Sequence, residues 1–500
     1  MENAQARFLA WATAALAGIA MALAAAGAQA REAPTSFADL AEKLLPSVVN
    51  ISTTQTVQNP ERMPEMPQFP PGSPFEDFFK EFFDRQRPDM PPRRATSLGS
   101  GFIVDASGLV VTNNHVIADA DEVTVILHDD TALRAEVLGR DAKTDLALLK
   151  INSPSPLRAV SWGDSDAIRV GDWVIAIGNP FGLGGTVTAG IISARARDIN
   201  SGPYDDFLQT DASINRGNSG GPMFDMAGNV IGINTAIFSP SGGSIGIGFA
   251  IPSTLARSVV ADLQKFGKTR RGWLGVRIQS VTDEIAESLG LKESKGALVA
   301  SVNPGGPADK AGIKAGDVIL SFDGREIGEM RRLPRMVAET EIGRKAPAVV
   351  WRGGKAITLQ VAVGELQDED EEAPKVATAT PKKPDKAAPG ETTIAPIGLK
   401  VAALSPQLRQ KFELPEGTKG VVVTEVIPAG VAAEKGMRVG DVVVEVGQEP
   451  VTAPNEFADK IEAARKAGRR SVLLLVDNGR GLRFVALRVD GDQKTGSVGR

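Results

Sequence analysis

The sequence predicts a mainly β chain in which one larger β region is followed by two copies of a smaller module. From residue 99 onwards, short apolar segments alternate with turn residues, and no long helical period interrupts them before residue 253. Short strands at regular spacing are typical of a β-sandwich or barrel. After residue 271 one sequence pattern occurs twice at a constant offset. A chain of 500 residues has room for about three domains of this kind.

The N-terminus has the features of an export signal. Arg7 precedes an apolar run from Phe8 to Ala26, and Ala28-Gln29-Ala30 fits the small-x-small pattern of a cleavage site. We therefore predict a signal peptide over residues 1–30 and a mature protein outside the cytoplasm. An uncleaved membrane anchor is the alternative, since the run is just long enough to span a bilayer. Its richness in alanine favours cleavage, after which no integral membrane association is expected.

Residues 31–268 form the predicted β domain. Apolar residues with helical spacing over 37–45 end at Pro46, and a strand begins at Val48. Further strands are predicted at 102–104, 109–112, 123–127, 146–151, 173–177 and 230–234, and a helix is predicted over 253–266.

A stretch rich in proline and methionine, residues 60–94, interrupts this domain. It carries five phenylalanines between positions 75 and 83. The flanking prolines favour a projecting loop. Two interpretations stay open: a short helix that covers its own domain, or a hydrophobic arm that docks onto another subunit or the active site.

The repeated pattern defines the two modules. The segment that begins at Gly296 recurs from Gly420, and the Gly-Asp pair that ends at Asp317 recurs at Asp441, 124 positions later in both cases. We place the modules at residues 269–364 and 394–490. The segment between them, 365–393, is charged and rich in proline, alanine and lysine, so it predicts a flexible linker. Residues 491–500 are predicted to be a disordered tail.

Composition excludes several kinds of chemistry. The chain has no cysteine, which rules out disulfides, thiolate catalysis and cysteine-ligated zinc. It has two histidines, so a histidine-rich metal site is not expected, and any histidine-dependent mechanism must use His115 or His128. We interpret His128, which follows a strand, as a surface residue. The formal net charge of −5 shows no dominant sign, so nucleic acid is not a predicted partner. No metal or cofactor is predicted.

Three short motifs carry the candidate catalytic residues. Ser219 lies in Gly-Asn-Ser-Gly-Gly-Pro at residues 217–222, Asp145 begins an apolar strand, and His115 follows another strand. The order His, Asp, Ser is that of the chymotrypsin-type double β-barrel. An α/β-hydrolase needs a histidine after its serine, and none follows position 128. The esterase interpretation is therefore excluded.

Each residue type suits one step of acyl transfer. Ser219 needs a base to become nucleophilic, and His115 can take the proton because histidine titrates near neutrality. Asp145 is expected to hold the imidazole in one tautomer. The backbone N–H groups of Gly217, Asn218 and Ser219 are the candidate oxyanion donors. Ile214, Ile237 and Phe238 flank this site and predict an apolar specificity pocket.

With these motifs, the chain resembles the HtrA/Deg family of serine endoproteases over roughly residues 37–490. The resemblance implies an exported, ATP-independent protease of the periplasm that degrades misfolded or unfolded proteins and assembles as a homo-trimer or larger oligomer. It also implies that positions matching Ile214 and Ile237 line the primary pocket, so that cleavage follows small or medium aliphatic residues.

Both modules begin with a short loop that contains glycine. Trp273-Leu274-Gly275-Val276 in the first module can present consecutive N–H groups to a C-terminal carboxylate, and an adjacent strand can then add the peptide by β-augmentation. The modules resemble bacterial PDZ domains, which implies C-terminal peptides and unfolded polypeptides as partners. In the second module Pro396 removes one donor. Peptide binding there stays open, with assembly or regulation as the alternative.

Two other functions stay open on the sequence alone. One is a chaperone or binding protein with secondary proteolysis. The other is a regulatory protease with a single narrow signalling substrate.

Overall fold

The computed structural model describes residues 34–57, 93–179, 185–199, 201–240, 243–367, 390–428, 430–479 and 481–489. The predicted signal peptide and tail, the phenylalanine-rich segment and most of the predicted linker lie outside these ranges. The chain forms two compact units: Met1–Ser201 with Asp205–Thr269, and Gly202–Tyr204 with Arg270–Arg500. No helix within the described residues combines the length and apolar character needed to cross a membrane.

The first unit begins with a helix and a β-barrel. Helix α1 (Ala38–Leu44) runs into a 3-10 turn (Leu45–Ser47) that contains the predicted breaker Pro46. Six strands follow, interrupted by the short helix α2 (Asn114–Ile117): β1 (Val48–Val57), β2 (Arg93–Asp105), β3 (Leu109–Thr112), β4 (Glu122–Ile126), β5 (Ala132–Asp141) and β6 (Leu146–Ile151). They close in the order β1-β2-β3-β6-β5-β4 around a buried apolar core.

A second barrel follows in the same unit. Its strands are β7 (Ser161–Trp162), β8 (Trp173–Gly178), β9 (Thr186–Arg197), β10 (Phe207–Thr210), β11 (Pro222–Phe224), β12 (Asn229–Ile237) and β13 (Gly248–Pro252). They are ordered β11-β8-β9-β10-β13-β12-β7, and pairing of β11 with β12 closes the ring. The double barrel predicted from the order of the catalytic residues is confirmed.

Helix α3 (Ser253–Phe266) covers the contact between the barrels. Its buried positions Ala256, Val259, Val260 and Leu263 recur with helical spacing and pack with residues of both barrels. The helix ends at Gly267, which takes the left-handed conformation (φ 71°) that suits glycine. The predicted bounds of this helix agree with the structure.

The first module of the second unit is a small β domain with three helices. Its strands are β14 (Gly272–Trp273), β15 (Val276–Ser280), β16 (Ala297–Val302), β17 (Val318–Phe322), β18 (Arg325–Glu326), β19 (Lys345–Arg352), β20 (Lys355–Ala362) and β21 (Gly364–Glu365). Its helices are α4 (Asp283–Leu289), α5 (Pro307–Lys310) and α6 (Arg332–Ala338). The main sheet runs β15-β16-β17-β19-β20, and β14 pairs separately with β21.

The second module repeats this plan with one difference at its start. Its strands are β22 (Thr392–Ile394), β23 (Leu399–Ala403), β24 (Val421–Val426), β25 (Val442–Val446), β26 (Glu449–Pro450), β27 (Ser471–Asp477) and β28 (Leu482–Arg488). Its helices are α7 (Pro406–Lys411), α8 (Val431–Glu434) and α9 (Pro454–Lys466), and a 3-10 turn spans Ala395–Ile397. The sheet runs β22-β23-β24-β25-β27-β28, so β22 is an added strand.

Strand β22 changes the predicted domain boundary. The linker prediction extends to residue 393, but the structure places Thr392 and Thr393 in this strand. The cause is the next residue, Ile394, whose side chain is buried in the core of the second module. Burial of one aliphatic side chain is worth about 2 kcal/mol, which favours ordering the polar residues beside it.

Candidate active site

The structure brings the three predicted catalytic residues together at the junction of the two barrels. His115 lies in α2 directly after β3, and Asp145 immediately precedes β6. The Asp145 backbone has a left-handed conformation (φ 55°) that few residues other than glycine, asparagine and aspartate adopt. Ser219 lies in the turn before β11. The site therefore combines two residues from the first barrel with one from the second.

The Asp145 carboxylate holds His115 at two points. Its Oδ2 lies 2.7 Å from His115 Nδ1, and its Oδ1 accepts the His115 backbone N–H at 2.8 Å. The Asn113 side chain and the Asn114 N–H also donate to the Asp145 carbonyl oxygen. These contacts leave the imidazole one orientation, with Nδ1 bound and Nε2 available for a proton.

Thr235, near the end of β12, is a site residue that sequence reasoning missed. Its hydroxyl donates to Asp145 Oδ2 at 2.6 Å, and its carbonyl oxygen accepts the Ser219 hydroxyl at 3.3 Å. Thr235 thus contacts two of the three predicted catalytic residues. In the described residues the Ser219 hydroxyl bonds this carbonyl and makes no hydrogen bond to His115. The structure therefore shows the Ser219 hydroxyl paired with Thr235 and not with His115.

The nucleophile turn depends on two glycines. Gly217 and Gly220 have φ values of 99° and 84°, which favour glycine. At Gly220 a Cβ would come within 2.2 Å of the Ser100 carbonyl oxygen, so no side chain fits there. Among the described residues, the N–H groups of Gly217 and Ser219 have no protein acceptor. They are therefore available to an oxyanion.

One predicted oxyanion donor is differently placed. The Asn218 N–H donates to the Asn215 carbonyl oxygen at 3.0 Å, so it closes the turn and is not free for a substrate. The Asn218 side chain is 2% exposed and lies against Gly178. The structure therefore favours two donors, Gly217 and Ser219, over the three predicted.

Ser100 is a second residue that sequence reasoning missed. It is fully buried in β2, and its hydroxyl donates to the Gly217 carbonyl oxygen at 2.6 Å and accepts the Asn179 N–H at 2.8 Å. Its own N–H donates to the Ser219 carbonyl oxygen at 2.9 Å. A strand of the first barrel therefore fixes the turn that carries the nucleophile of the second.

The predicted specificity residues separate into two groups. Ile214 is 1% exposed and packs with Ala176, Ala212 and the partly buried Ile237, which forms an apolar wall beside the nucleophile turn. Phe238 is 60% exposed and lies outside this cluster. Its N–H donates to the Ile247 carbonyl oxygen, which extends the pairing of β12 with β13. Of the three predicted pocket residues, Ile214 and Ile237 lie in this apolar cluster and Phe238 does not.

The loop of the first module has the geometry of a carboxylate site. Leu274 is buried, and Gly275 has a φ of 72°. Within the part of the chain that the structure describes, the N–H groups of Leu274 and Gly275 have no acceptor. Strand β15, which begins at Val276, pairs only with β16 among the described strands, so its other edge is open. Trp273 pairs with Gly364 of β21 and anchors the loop.

The fold and site together define a trypsin-like serine peptidase that carries two PDZ domains. In agreement, the Trypsin-like peptidase domain family matches residues 99–233, and the PDZ domain family matches residues 272–363 and 422–476.

Similar proteins support this assignment over most of the chain. A probable periplasmic serine endoprotease DegP-like of Brucella suis is 46% identical over 476 residues, 91% of this chain and 90% of that protein. A protein of the same name from Rhizobium meliloti is 44% identical, covering 91% and 92%. The solved structure of the HtrA-type protease AlgW with decapeptide is 45% identical, with a TM-score of 0.55, and covers 67% of this chain and 99% of that one. The chain belongs to the DegP-like serine endoproteases of the HtrA family.

Proposed function

We propose that the chain cleaves polypeptides by an acyl-enzyme mechanism in which Ser219 is the nucleophile, His115 the general base and acid, and Asp145 the group that orients His115. The observation that carries this proposal is the double contact of the Asp145 carboxylate with His115, through the backbone N–H and through Nδ1. This contact leaves Nε2 as the proton acceptor and stabilises the imidazolium that forms.

Catalysis then begins with a rotation of the serine side chain. The Ser219 hydroxyl leaves the Thr235 carbonyl oxygen, to which its hydrogen bond is long at 3.3 Å, and turns to His115 Nε2. His115 takes the proton as Oγ attacks the substrate carbonyl, and later returns it to the leaving amine. The hydrogen bond that is lost is a neutral one worth about 1 kcal/mol, and the new bond to Nε2 offsets this loss.

The tetrahedral oxyanion is held by the N–H groups of Gly217 and Ser219. One such donor is typically worth about 3 kcal/mol of transition-state stabilisation. The apolar wall of Ile214 and Ile237 favours an aliphatic residue on the acyl side of the scissile bond. A charged side chain there would lose its hydration without gaining a partner.

The substrates we propose are misfolded or unfolded exported proteins in the periplasm, the compartment named for the relatives. The first PDZ domain would capture their C-termini at its open β15 edge, and the similar protease AlgW, solved with a decapeptide, supports peptide binding by a chain of this kind. Tethering raises the local substrate concentration to about the millimolar range. A homo-trimer or larger assembly, and a role of the segment 75–83 in it, stay predictions.

Digestion of casein tests this function directly. The wild-type chain is expected to release peptides whose new C-termini are mainly aliphatic, identified by mass spectrometry. Ser219→Ala should abolish cleavage, and Ser239→Ala, in the exposed loop after β12, should leave it unchanged. Equal digestion by wild type and Ser219→Ala would overturn the proposed nucleophile. Suppression of casein aggregation by Ser219→Ala would add a chaperone activity to the protease.

A further inference from the structure

The two PDZ domains differ at the edge where a peptide would bind. In the first, strand β15 pairs with β16 alone among the described strands. In the second, the corresponding strand β23 pairs with β24 on one side and with β22 on the other. We infer that Thr392–Ile394 is an internal ligand that fills the peptide groove of the second domain and excludes a free C-terminus until it is displaced.

The loops of the two domains correspond at one glycine. Gly275 and Gly398 have φ values of 72° and 73°. The carbonyl oxygen of Gly275 accepts the Asn303 N–H at 2.8 Å, and that of Gly398 accepts the Ile427 N–H at 2.9 Å. Gly398 therefore occupies the place in the second domain that Gly275 occupies in the carboxylate loop of the first.

The internal segment has the direction and register of a bound peptide. It runs antiparallel to β23, with Thr392 opposite Val401 and Ile394 opposite Leu399 at the loop. A C-terminal peptide adds to such an edge strand through main-chain hydrogen bonds and ends at the N–H groups of the loop. Here the Gly398 N–H is shared between the Ile394 carbonyl oxygen at 3.1 Å and the Ala395 carbonyl oxygen at 3.3 Å. The Ile394 carbonyl oxygen takes the place of a terminal carboxylate oxygen.

The side chains of the segment also match those of a ligand. Ile394 is 3% exposed and shares a core cluster with Leu399 of β23 and with Phe457 and Ile461 of α9. The Thr392 hydroxyl lies 3.3 Å from Asn455 Oδ1 in the first turn of the same helix. Thr393, between them, is exposed. The segment thus lies between β23 and α9 and buries its last side chain.

The loss of affinity for an external peptide that competes with this segment can be calculated. A tethered ligand has an effective concentration of about 1 mM. Suppose that the segment and an external peptide both bind the open groove with a Kd of about 10 µM. The tethered segment then lowers the apparent affinity of the groove for the external peptide about 100-fold. At peptide concentrations well below about 1 mM, the groove of the second domain would therefore stay filled by its own segment.

The binding test uses the full chain with Ser219→Ala, so it does not depend on proteolysis or on the proposed function. The probe is the fluorescein-labelled peptide Glu-Thr-Thr-Ile with a free C-terminal carboxylate, and calorimetric titration counts the peptides bound per chain. Ile394→Ser should bind one more peptide per chain than the parent. The matched control Thr393→Ser, at the exposed neighbouring position, should bind the same number as the parent. Equal counts for the parent and a folded Ile394→Ser variant would overturn the inference.

A second test applies even if Ile394→Ser does not fold. The chain has no cysteine, so a pair introduced by Thr393→Cys and Lys400→Cys, which face each other across β22 and β23, can form only one disulfide within a chain. We expect this pair to oxidise in the folded protein. The control pair Thr393→Cys and Glu425→Cys is separated by two strand spacings, about 10 Å, and should not. Free thiols in the first pair after oxidation would refute the internal ligand.

Discussion

Replacing Thr235 with valine tests whether this residue positions Asp145, the aspartate that we propose orients His115. The substitution removes the hydroxyl that donates to Asp145 Oδ2 at 2.6 Å and preserves the branched shape of the side chain. The Thr235 carbonyl oxygen, which holds the Ser219 hydroxyl, belongs to the backbone and is retained. The change therefore isolates the contact to Asp145 from the contact to Ser219.

The expected loss of kcat follows from the negative charge on the Asp145 carboxylate, which accepts the hydrogen bond. A hydrogen bond to a charged group contributes about 1.5–3 kcal/mol, and each 1.36 kcal/mol is tenfold in rate. If this contact is fully used in the transition state, Thr235→Val should lower kcat about 10- to 150-fold. KM should change little, because the hydroxyl faces Asp145 and not the substrate.

The assay is steady-state cleavage of a fluorogenic peptide with an aliphatic residue before the scissile bond, with kcat and KM determined separately. Thr235→Ser keeps a hydroxyl at the same position and should retain most of the wild-type kcat, which separates loss of the hydrogen bond from a change in packing. The control is Thr53→Val in β1, whose hydroxyl makes only a 3.4 Å bond to the Ser97 carbonyl oxygen. A Thr235→Val enzyme with kcat within twofold of the control would refute the positioning role.

Three further predictions concern other parts of the structure. Ser100→Ala should lower kcat about tenfold and also lower the melting temperature, because it leaves buried partners of the nucleophile turn unsatisfied. Ile214→Ala should shift the cleavage sites towards larger aliphatic residues in product sequencing, whereas Phe238→Ala, at an exposed position, should not. The hydrogen bond from the Lys435 ammonium lowers the pKa of Glu284 from 4.5 to about 2. The contribution of the ionised Glu284 to stability is therefore present above pH 4.5 and is lost as the pH falls towards 2. The melting temperatures of wild type and Glu284→Gln, compared by calorimetry between pH 7 and 3, should therefore converge as the pH falls; a difference that grows on acidification would contradict this reasoning.

The grouping of His115, Asp145 and Ser219 was predictable because the signals of these residues are local. Ser219 lies in a glycine-rich turn, and only His115 and His128 were available as the base. Helix α3 was predictable because its apolar period ends at a glycine that can adopt positive φ. In each case the evidence lies within a few residues of the position concerned.

Thr235 and Ser100 were not predictable because their contacts join residues that are far apart in the sequence. Their hydroxyls contact partners 90 and 117 positions away, Asp145 and Gly217, and neither residue stands out in its strand. The only signal is a polar residue within a strand, which in most strands means a solvent-facing position. Such contacts depend on how the two barrels meet, and this is a property of the whole fold.

The difference between the two PDZ domains begins with Pro396. In the first domain, the corresponding Trp273 continues a strand that pairs with β21, and this carries the incoming chain away from the β15 edge. A proline has no N–H for such a ladder, and its fixed φ suits the start of a turn. Residues Ala395–Ile397 accordingly form a 3-10 turn, which reverses the chain and lays the preceding residues along β23. Pro396 therefore has two effects. It removes one N–H donor from the loop, and the turn that it begins places the preceding segment in the groove.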